Sequence, residues 1–402
     1  MSQPEILPLN FTTPVTTHAF NGDRTQLALC SNSNVLQIYS KQNQNWVLSA
    51  ELKEHDKLIT CVDWAPNTNR IVTCSQDRNA YVWSLQNTQE GGLEWKPTLV
   101  LLRINRSATF VRWSPLENKF AVASGARAIA VCSFDEESDW WVSKHIKKPL
   151  RSTVLSIDWH PNNVLLAAGS ADSKARVFSA YIKDVDSKPP PCVWGERLPF
   201  NTICGEFSSP AGGWVHSVSF TPSGNAIAFA SHDSNLSIIY PTGPDTAPSV
   251  FNVRLPSLPH VTLTFLNETM LIAAGHDCQP MVYHLVNNNS WQFLKSLDDS
   301  TGAKQSQPSG LSGRLNNVAF NAFKEADSKG STGGVSGVGA GDTVLTTVHQ
   351  NTITSIRPMF GQIGNITHVS TSGIDGKIVI WDVNSGGKGV AGLVTQTSQM
   401  SI

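Results

Sequence analysis

Charged residues are scarce in this sequence, and long apolar runs are absent. Asp, Glu, Lys and Arg make up 15% of its 402 residues, against roughly 25% in an average soluble domain. The formal net charge is −1, so no overall positive field favours nucleic acid. No stretch reaches the ~18 apolar residues of a membrane-spanning helix, and Met1–Phe11 lacks the apolar segment of a signal peptide. We therefore expect a cytoplasmic protein with no nucleic-acid partner and no membrane span. The low charge indicates either a surface covered by partner proteins or one made of neutral polar residues.

The chain also lacks the signatures of metal sites, phosphate-binding loops and covalent catalysis. Its seven cysteines include no CxxC pair, and we expect them to be buried, reduced packing residues. The glycine-rich tract Gly330–Gly341 does not end in the Lys-Ser/Thr of a phosphate loop. Four histidines are scattered without zinc-ligand spacing, namely His216, His232, His276 and His284. We expect no metal, no cofactor and no enzymatic activity.

A repeated unit accounts for most of the sequence. Residues Arg151–Tyr181 comprise three short apolar segments separated by two turns, the first of which is His160–Asn163. Proline cannot extend a strand ladder and asparagine tolerates turn geometry, so this tetrapeptide ends the strand. Each copy of the unit has an aromatic residue where its first strand ends, at Phe20, Trp64, Trp113, Trp159, Phe220 and Phe265. Successive gaps are 44, 49, 46, 61 and 45 residues by subtraction.

These gaps are close to the ~40–45 residues of a four-stranded WD-type propeller blade. A tryptophan near the expected fourth strand supports the strand count, at Trp46, Trp95, Trp140–Trp141, Trp194 and Trp291. One blade cannot bury both faces of its sheet, so the copies must stack around a ring. The sequence predicts an all-β, seven-bladed WD-repeat propeller over residues 1–384, with a helical insert before the last blade. The fourth unit is expected to end at about Leu198 and the fifth to cover about Cys204–Val253. The extended segment Glu5–Phe11 should supply the missing outer strand of the last blade.

The long segment 296–342 interrupts the repeat before the last blade. It begins with polar residues and ends in the Gly/Ser-rich tract, which has the composition of a flexible linker. Between the two, residues 314–327 have the apolar spacing of a short amphipathic helix. Its candidate contact residues are Leu315, Val318, Phe320 and Phe323. We expect residues 385–402 to form a C-terminal tail beyond the last blade.

Two His–Asp pairs recur, each followed by a tryptophan. They are His55 with Asp77 and Trp83, and His349 with Asp375 and Trp381. A His–Asp pair can act in acid–base catalysis, but no serine or cysteine motif accompanies either pair. The favoured interpretation is structural, with the histidine hydrogen-bonding the turn aspartate and bracing the blade. Equivalent turns contain Asp172, Asp233 and Asp277, as a structural role requires.

Basic residues cluster at two neighbouring junctions between units. They are Lys144, Lys147, Lys148 and Arg151 between the third and fourth units, and Arg103 and Arg106 one unit earlier. This basic rim could bind an acidic peptide or a neighbouring subunit. The alternative is a solvated face without a partner, and the sequence alone does not decide between the two.

Long segments of the chain follow, in order, the pattern of a known family. They are Glu51–His55, Arg78–Trp83, Trp95–Val100, Asp139–Val142, Lys144–Trp159, His160–Ser170, Ala274–Cys278 and Ile380–Val383. Together they resemble the WD-repeat subunit family of the actin-related protein 2/3 complex. The family's insert before the last blade is also present, although Ala319–Phe323 replaces a more charged run. The resemblance implies a non-catalytic subunit of a seven-protein assembly that nucleates branched actin filaments.

The same resemblance implies three kinds of partner. These are the other subunits of the complex, the acidic tails of nucleation-promoting factors, and the mother actin filament, which the insert helix would reach. It also implies a location in the actin cytoskeleton, at cortical patches or branched networks. The alternative is a generic WD-repeat adaptor, such as a ubiquitin-ligase receptor or a chromatin scaffold. The two insert phenylalanines favour the actin-complex subunit, because a generic adaptor has no reason to carry them.

Overall fold

The described part of the chain is built from strands alone. The computed structural model describes residues 3–298 and 345–384, apart from 10, 44, 89–90, 244–245 and 288–289. Within these residues, 28 strands form seven four-stranded antiparallel sheets. The described residues include no helix of the length and apolarity needed to cross a membrane. The predicted seven-bladed propeller is confirmed, while the predicted insert helix and the C-terminal tail lie outside the described residues.

Each of the first six blades consists of four consecutive strands. Blade one contains β2 (Thr17–Phe20), β3 (Gln26–Cys30), β4 (Leu36–Gln42) and β5 (Asn45–Leu52). Blade two contains β6 (Ile59–Trp64), β7 (Ile71–Ser75), β8 (Ala80–Asn87) and β9 (Leu93–Val100). Blade three contains β10 (Ala108–Trp113), β11 (Lys119–Ser124), β12 (Ile129–Asp135) and β13 (Trp140–Ile146).

The remaining blades follow the same order from the inner to the outer strand. Blade four contains β14 (Val154–Trp159), β15 (Leu165–Ser170), β16 (Lys174–Ser179) and β17 (Ile203–Ser208). Blade five contains β18 (Val215–Phe220), β19 (Ile227–Ser231), β20 (Asn235–Tyr240) and β21 (Ser249–Arg254). Blade six contains β22 (His260–Asn267), β23 (Met270–Gly275), β24 (Met281–Val286) and β25 (Ser290–Ser296). Blade seven contains β26 (Ile353–Gln362), β27 (Asn365–Gly373) and β28 (Ile378–Asp382), completed by β1 (Glu5–Ile6).

The apolar core is divided into seven clusters, each lying between two adjacent blades. The second strand of a blade is covered on both faces, which is why β7, β11 and β15 are short runs of wholly buried residues. In the first six blades, the aromatic residue near the end of the inner strand packs into these clusters. Trp64, for example, meets the outer-strand Trp95 edge-on at 5.7 Å. Stacking thus buries sheet faces that no single blade could cover.

The N-terminal segment closes the ring, as predicted. Glu5 and Ile6 pair antiparallel with Ile380 and Val379 of β28, and the Leu7 N–H donates to the Ile378 carbonyl at 2.9 Å. Leu7 is 4% exposed and belongs to the cluster that joins blade seven to blade one. The clasp is shorter than Glu5–Phe11, because the paired strand is only Glu5–Ile6 and Leu7 adds one further hydrogen bond to β28.

The outer strand of blade four is not where the tryptophan spacing placed it. Trp194 lies in the loop between β16 and β17, and its indole Nε1–H donates to the Gly224 carbonyl of blade five at 2.7 Å. The strand that pairs with β16 is β17, Ile203–Ser208. The fourth blade therefore extends beyond Leu198 to Ser208, and the predicted fifth unit began one strand too early. The sequence did not reveal the position of β17, because the long loop before it contains a buried tryptophan like those of the outer strands.

All inner strands begin at the same face of the ring, which we call the top face. The loops that lead from an outer strand to the next inner strand reach this face. The turns between the second and third strands of each blade lie beside them. The His–Asp pairs fall in these loops and turns, as does the basic rim except Lys144, which lies on β13.

Candidate functional site

The His55–Asp77 pair forms part of a buried relay in blade two. His55 Nδ1 lies 2.6 Å from Asp77 Oδ2, and its Nε2 lies 2.9 Å from the Thr73 hydroxyl. The Trp83 indole N–H donates to the same hydroxyl at 3.0 Å. These contacts are satisfied together when Nδ1 carries the proton, donates to the carboxylate, and Nε2 accepts from threonine.

Blade seven repeats this relay with different residues. His349 Nδ1 lies 3.0 Å from Asp375 Oδ1, its Nε2 lies 2.8 Å from the Thr371 hydroxyl, and Trp381 donates to that hydroxyl at 2.8 Å. Neither His349 nor its counterpart in blade two exposes any of its side chain. A substrate therefore cannot touch either imidazole, and the geometry favours a bracing role.

In blades two, four, five and seven, an aspartate connects the turn between the second and third strands to the loop that precedes the blade. Burial alone would raise the pKa of Asp77, but hydrogen bonds from His55 and from the Asn79 N–H hold it below its ordinary value. The same carboxylate accepts the backbone N–H of Asp56 in the preceding loop at 3.2 Å. Asp172, Asp233 and Asp375 accept the backbone N–H groups of Arg151, Ala211 and Gln350 in the same way.

Blade three lacks this carboxylate. The strand registers Ile59–Ser75 and Ala108–Ser124 place Ala126 at the position that Asp77 occupies in blade two. The sequence carried the signal, because Ser124-Gly125-Ala126-Arg127 aligns with Ser75-Gln76-Asp77-Arg78. The recurring aspartates indicated the shared turn, and their absence from blade three was not predicted.

The predicted basic rim lies on the top face of blades three and four. Lys144 is on β13, Lys147, Lys148 and Arg151 are in the loop between β13 and β14, and Arg103 and Arg106 are in the loop between β9 and β10. All six side chains are exposed. No ion pair within the described residues involves any of them. The two loops lie close together, since His145 Nε2 contacts the Leu102 carbonyl at 2.8 Å.

Arg106 and Arg151 share one surface hollow of about 660 Å³ between the two loops. A third guanidinium that sequence reasoning did not single out, Arg127 of the β11–β12 turn, also lines it. Lys144, Lys147, Lys148 and Arg103 are not among its lining residues, so the rim consists of this arginine hollow and an outer group of cations.

Three of the scattered histidines are neighbours in the fold. His216 Nε2 lies 2.9 Å from His232 Nδ1, and the rings of His232 and His276 are 6.4 Å apart. The exposed Trp214 lies against His232, with ring centroids 6.1 Å apart. Burial, with the nearby His232, lowers the pKa of His216 to about 4. Within the described residues, no group of three His, Cys, Asp or Glu side chains is arranged to hold a metal ion.

The central channel encloses a cavity of about 640 Å³ lined by the inner strands. Arg357 Nη1 lies 2.8 Å from Asp63 Oδ1, and Asp63 Oδ2 accepts the Trp113 N–H at 2.8 Å. Asp158 Oδ2 accepts the Phe220 N–H at the same distance. Burial raises the pKa of both carboxyl groups. Each carboxylate thus ties its blade to the next one around the ring.

The insert residues Leu315, Val318, Phe320 and Phe323 lie outside the described residues. Their assignment to a filament-binding helix stays a prediction from the sequence.

Comparison with known proteins identifies both the repeat and close relatives. The WD domain, G-beta repeat family matches residues 46–84 and 142–179, and each match runs from an outer strand through three strands of the next blade. The chain is 50% identical over 373 residues to actin-related protein 2/3 complex subunit 1 of Schizosaccharomyces pombe, covering 90% of this chain and 95% of that protein. Subunit 1A-A of Xenopus laevis is 50% identical over 370 residues, covering 92% and 94%. Subunit 1B of Arabidopsis thaliana is 39% identical over 384 residues, covering 93% and 96%.

Proposed function

Since the chain belongs to the family of subunit 1 of the actin-related protein 2/3 complex, we propose that it is a non-catalytic subunit of that complex and supports nucleation of branched actin filaments. In this role it works in the cytoplasm, at cortical actin patches or branched networks. Its contacts are with other subunits, with the acidic tails of nucleation-promoting factors and with the mother filament. The propeller serves as a rigid frame that presents loops to these partners.

The observation that carries this proposal is the basic rim. It collects six exposed cations in one sector of the top face, in a chain whose formal net charge is −1. Exposed cations without local carboxylate partners raise the local concentration of acidic ligands and steer their approach. The rim therefore supports binding of an acidic tail or of an acidic surface on a neighbouring subunit.

The insert is proposed to supply the filament contact. Phe320 and Phe323 are three residues apart, so a helix over 314–327 would place them on one face. A short isolated helix is marginal in water and would be stabilised by docking that face into a groove of its partner. The family resemblance supports actin in the mother filament as this partner.

Charge reversal tests the rim. In the assembled complex, Lys144→Glu with Lys147→Glu and Lys148→Glu should weaken binding of an acidic activator tail by roughly tenfold or more, because attraction becomes repulsion. Fluorescence anisotropy across a salt series measures this, and the affinity of the reversed variant should depend less on salt. The matched control reverses Lys41, Lys183 and Lys188, three exposed lysines at the opposite face. Unchanged affinity and salt dependence in the first variant would instead indicate a solvated face.

The insert is tested by Phe320→Ala with Phe323→Ala. Burying one phenylalanine contributes roughly 1.5–3 kcal/mol, so losing both should weaken filament docking by tens-fold or more. We expect fewer branches in a microscopy assay, with unchanged assembly and melting temperature. A double variant that fails to assemble would show that the helix packs inside the complex.

A further inference from the structure

The arginine hollow between blades three and four has no negative charge of its own. Arg106, Arg127 and Arg151 line it, and each comes from a different loop or turn of the top face. Its other lining residues are small or polar, and none is a carboxylate. Three guanidinium groups thus line one concave site, and no ion pair within the described residues neutralises any of them.

Ala126 is the reason that the turn lining this hollow carries no carboxylate. In blades two, four, five and seven, an aspartate at the equivalent turn position accepts a backbone N–H of the preceding loop. In blades two and four, the residue that donates this N–H precedes the aspartate by 21 residues. In blade three, the residue 21 positions before Ala126 is Asn105, so the Asn105 N–H is the equivalent donor. Blade three therefore lacks one acceptor and one negative charge at the place where its loop lines the hollow.

The turn keeps its shape despite this replacement. Ser124 Oγ–H donates to the Ala128 carbonyl at 2.7 Å, and the Gly125 N–H donates to the Ser107 carbonyl at 2.9 Å. Arg127 has a φ of 57°, and the equivalent Arg78 of blade two has a φ of 75°. The backbone is therefore held as in the neighbouring blade, and the hollow is formed in advance of any ligand.

We propose that this hollow binds the phosphate of a phosphorylated serine or threonine on a partner protein. Guanidinium groups match phosphate oxygens in paired, charge-assisted hydrogen bonds. A phosphate monoester carries about two negative charges and three acceptor oxygens at neutral pH, so it can engage several guanidiniums at once. One oxygen would take the place of the missing carboxylate and accept the Asn105 N–H.

A phosphorylated protein segment suits this site better than a membrane surface. The adjoining loop of blade two exposes Glu54 and Asp56 on the same face, and a flat anionic bilayer would approach these carboxylates as well as the arginines. A phosphate on an extended segment can enter one hollow and avoid them. The inference rests on the proposed function, since it specifies what an acidic partner presents to this part of the rim.

The test uses the assembled complex and three versions of one short acidic peptide, carrying a single phosphoserine, serine or glutamate. We expect the phosphopeptide to bind at least roughly tenfold more tightly than the serine peptide, because it gains at least one charge-assisted hydrogen bond. Ala126→Asp introduces the carboxylate found in blades two, four, five and seven and should abolish this preference without lowering the melting temperature. Arg127→Ala should also abolish it, whereas Arg78→Ala, the matched change in blade two, should not.

The alternative results separate this inference from the proposed function. Equal binding of the three peptides, still lost on reversing Lys144, Lys147 and Lys148, would overturn the phosphate site and leave the acidic-tail role standing. A phosphoserine preference that survives Ala126→Asp would also overturn it. Binding to vesicles containing phosphatidylinositol 4,5-bisphosphate, with no preference for the phosphopeptide, would assign the hollow to a membrane instead.

Discussion

At the residue scale, blades two and seven each contain a buried histidine whose two ring nitrogens are both hydrogen-bonded. His55 contacts Asp77 with one nitrogen and Thr73 with the other. His55→Ala would leave a partly buried carboxylate and hydroxyl without this partner, which should cost about 1–3 kcal/mol of stability. Chemical denaturation measures this cost, and His284→Ala, which alters a half-buried histidine on β24, is the control.

The same variant distinguishes bracing from direct function. The folded fraction of His55→Ala should bind partner peptides with normal affinity. Loss of binding with unchanged stability would mean that His55 acts in recognition instead.

Buried histidines predict how stability depends on pH. Burial lowers the pKa of His160 and of His260 to about 4, against an ordinary 6.5. The unfolded chain therefore binds protons at a higher pH than the folded chain, so stability should decrease as pH falls from about 6.5 towards 4. Hydrogen bonds from Ser231, Ser209 and the Ala211 N–H outweigh burial and lower the pKa of Asp233 to about 2. The stability that the Asp233 carboxylate contributes should therefore be lost only at a lower pH than the stability that depends on the histidines.

His260→Gln tests this dependence, because glutamine can still hydrogen-bond the Tyr283 hydroxyl that His260 contacts at 2.8 Å but does not titrate. The free energy of unfolding should fall less between pH 7.5 and pH 5 in the variant than in the wild type. Parallel pH profiles for the two proteins would contradict the assignment of a neutral buried imidazole.

At the scale of elements, the two-residue strand β1 should stabilise the closed ring more than its length suggests. It covers the edge of β28, and Leu7 after it fills the closing cluster between blades seven and one. Deletion of residues 1–11 should lower the melting temperature substantially, because an open edge and an apolar cavity replace the clasp. Leu7→Ala alone should cost about 2–5 kcal/mol, and the exposed Ile6→Ala should cost little. An unchanged melting curve for the deletion would mean that the ring closes without it.

The sequence predicted the elements that repeat and failed where the repeat changes. Aromatic residues at strand ends and a recurring turn aspartate identify blades, since both follow from packing that every blade needs. Trp194 misled the assignment because burial alone does not distinguish an outer strand from a packed loop. The arginine hollow could be predicted only in part, because its three guanidiniums come from separate loops whose proximity depends on the ring.

At the scale of the whole molecule, seven interblade clusters and one clasp produce a ring whose top-face loops are fixed relative to one another. Several apolar side chains on and beside the outer strands are in water, and Leu93, Leu101 and Trp140 are each more than half exposed. Large exposed apolar patches on a soluble protein usually mark surfaces that bind a partner. Their exposure supports the proposal that the chain works within an assembly that covers part of its rim.

Quantitative affinity purification of the tagged full chain from its own cells tests the central claim most directly. Mass spectrometry of the co-purifying chains should find the actin-related proteins and the other subunits of the complex at one copy each per tagged chain. The purified assembly should nucleate branched filaments. A chain that purifies alone, or with ubiquitin-ligase or chromatin proteins in place of these subunits, would contradict the account.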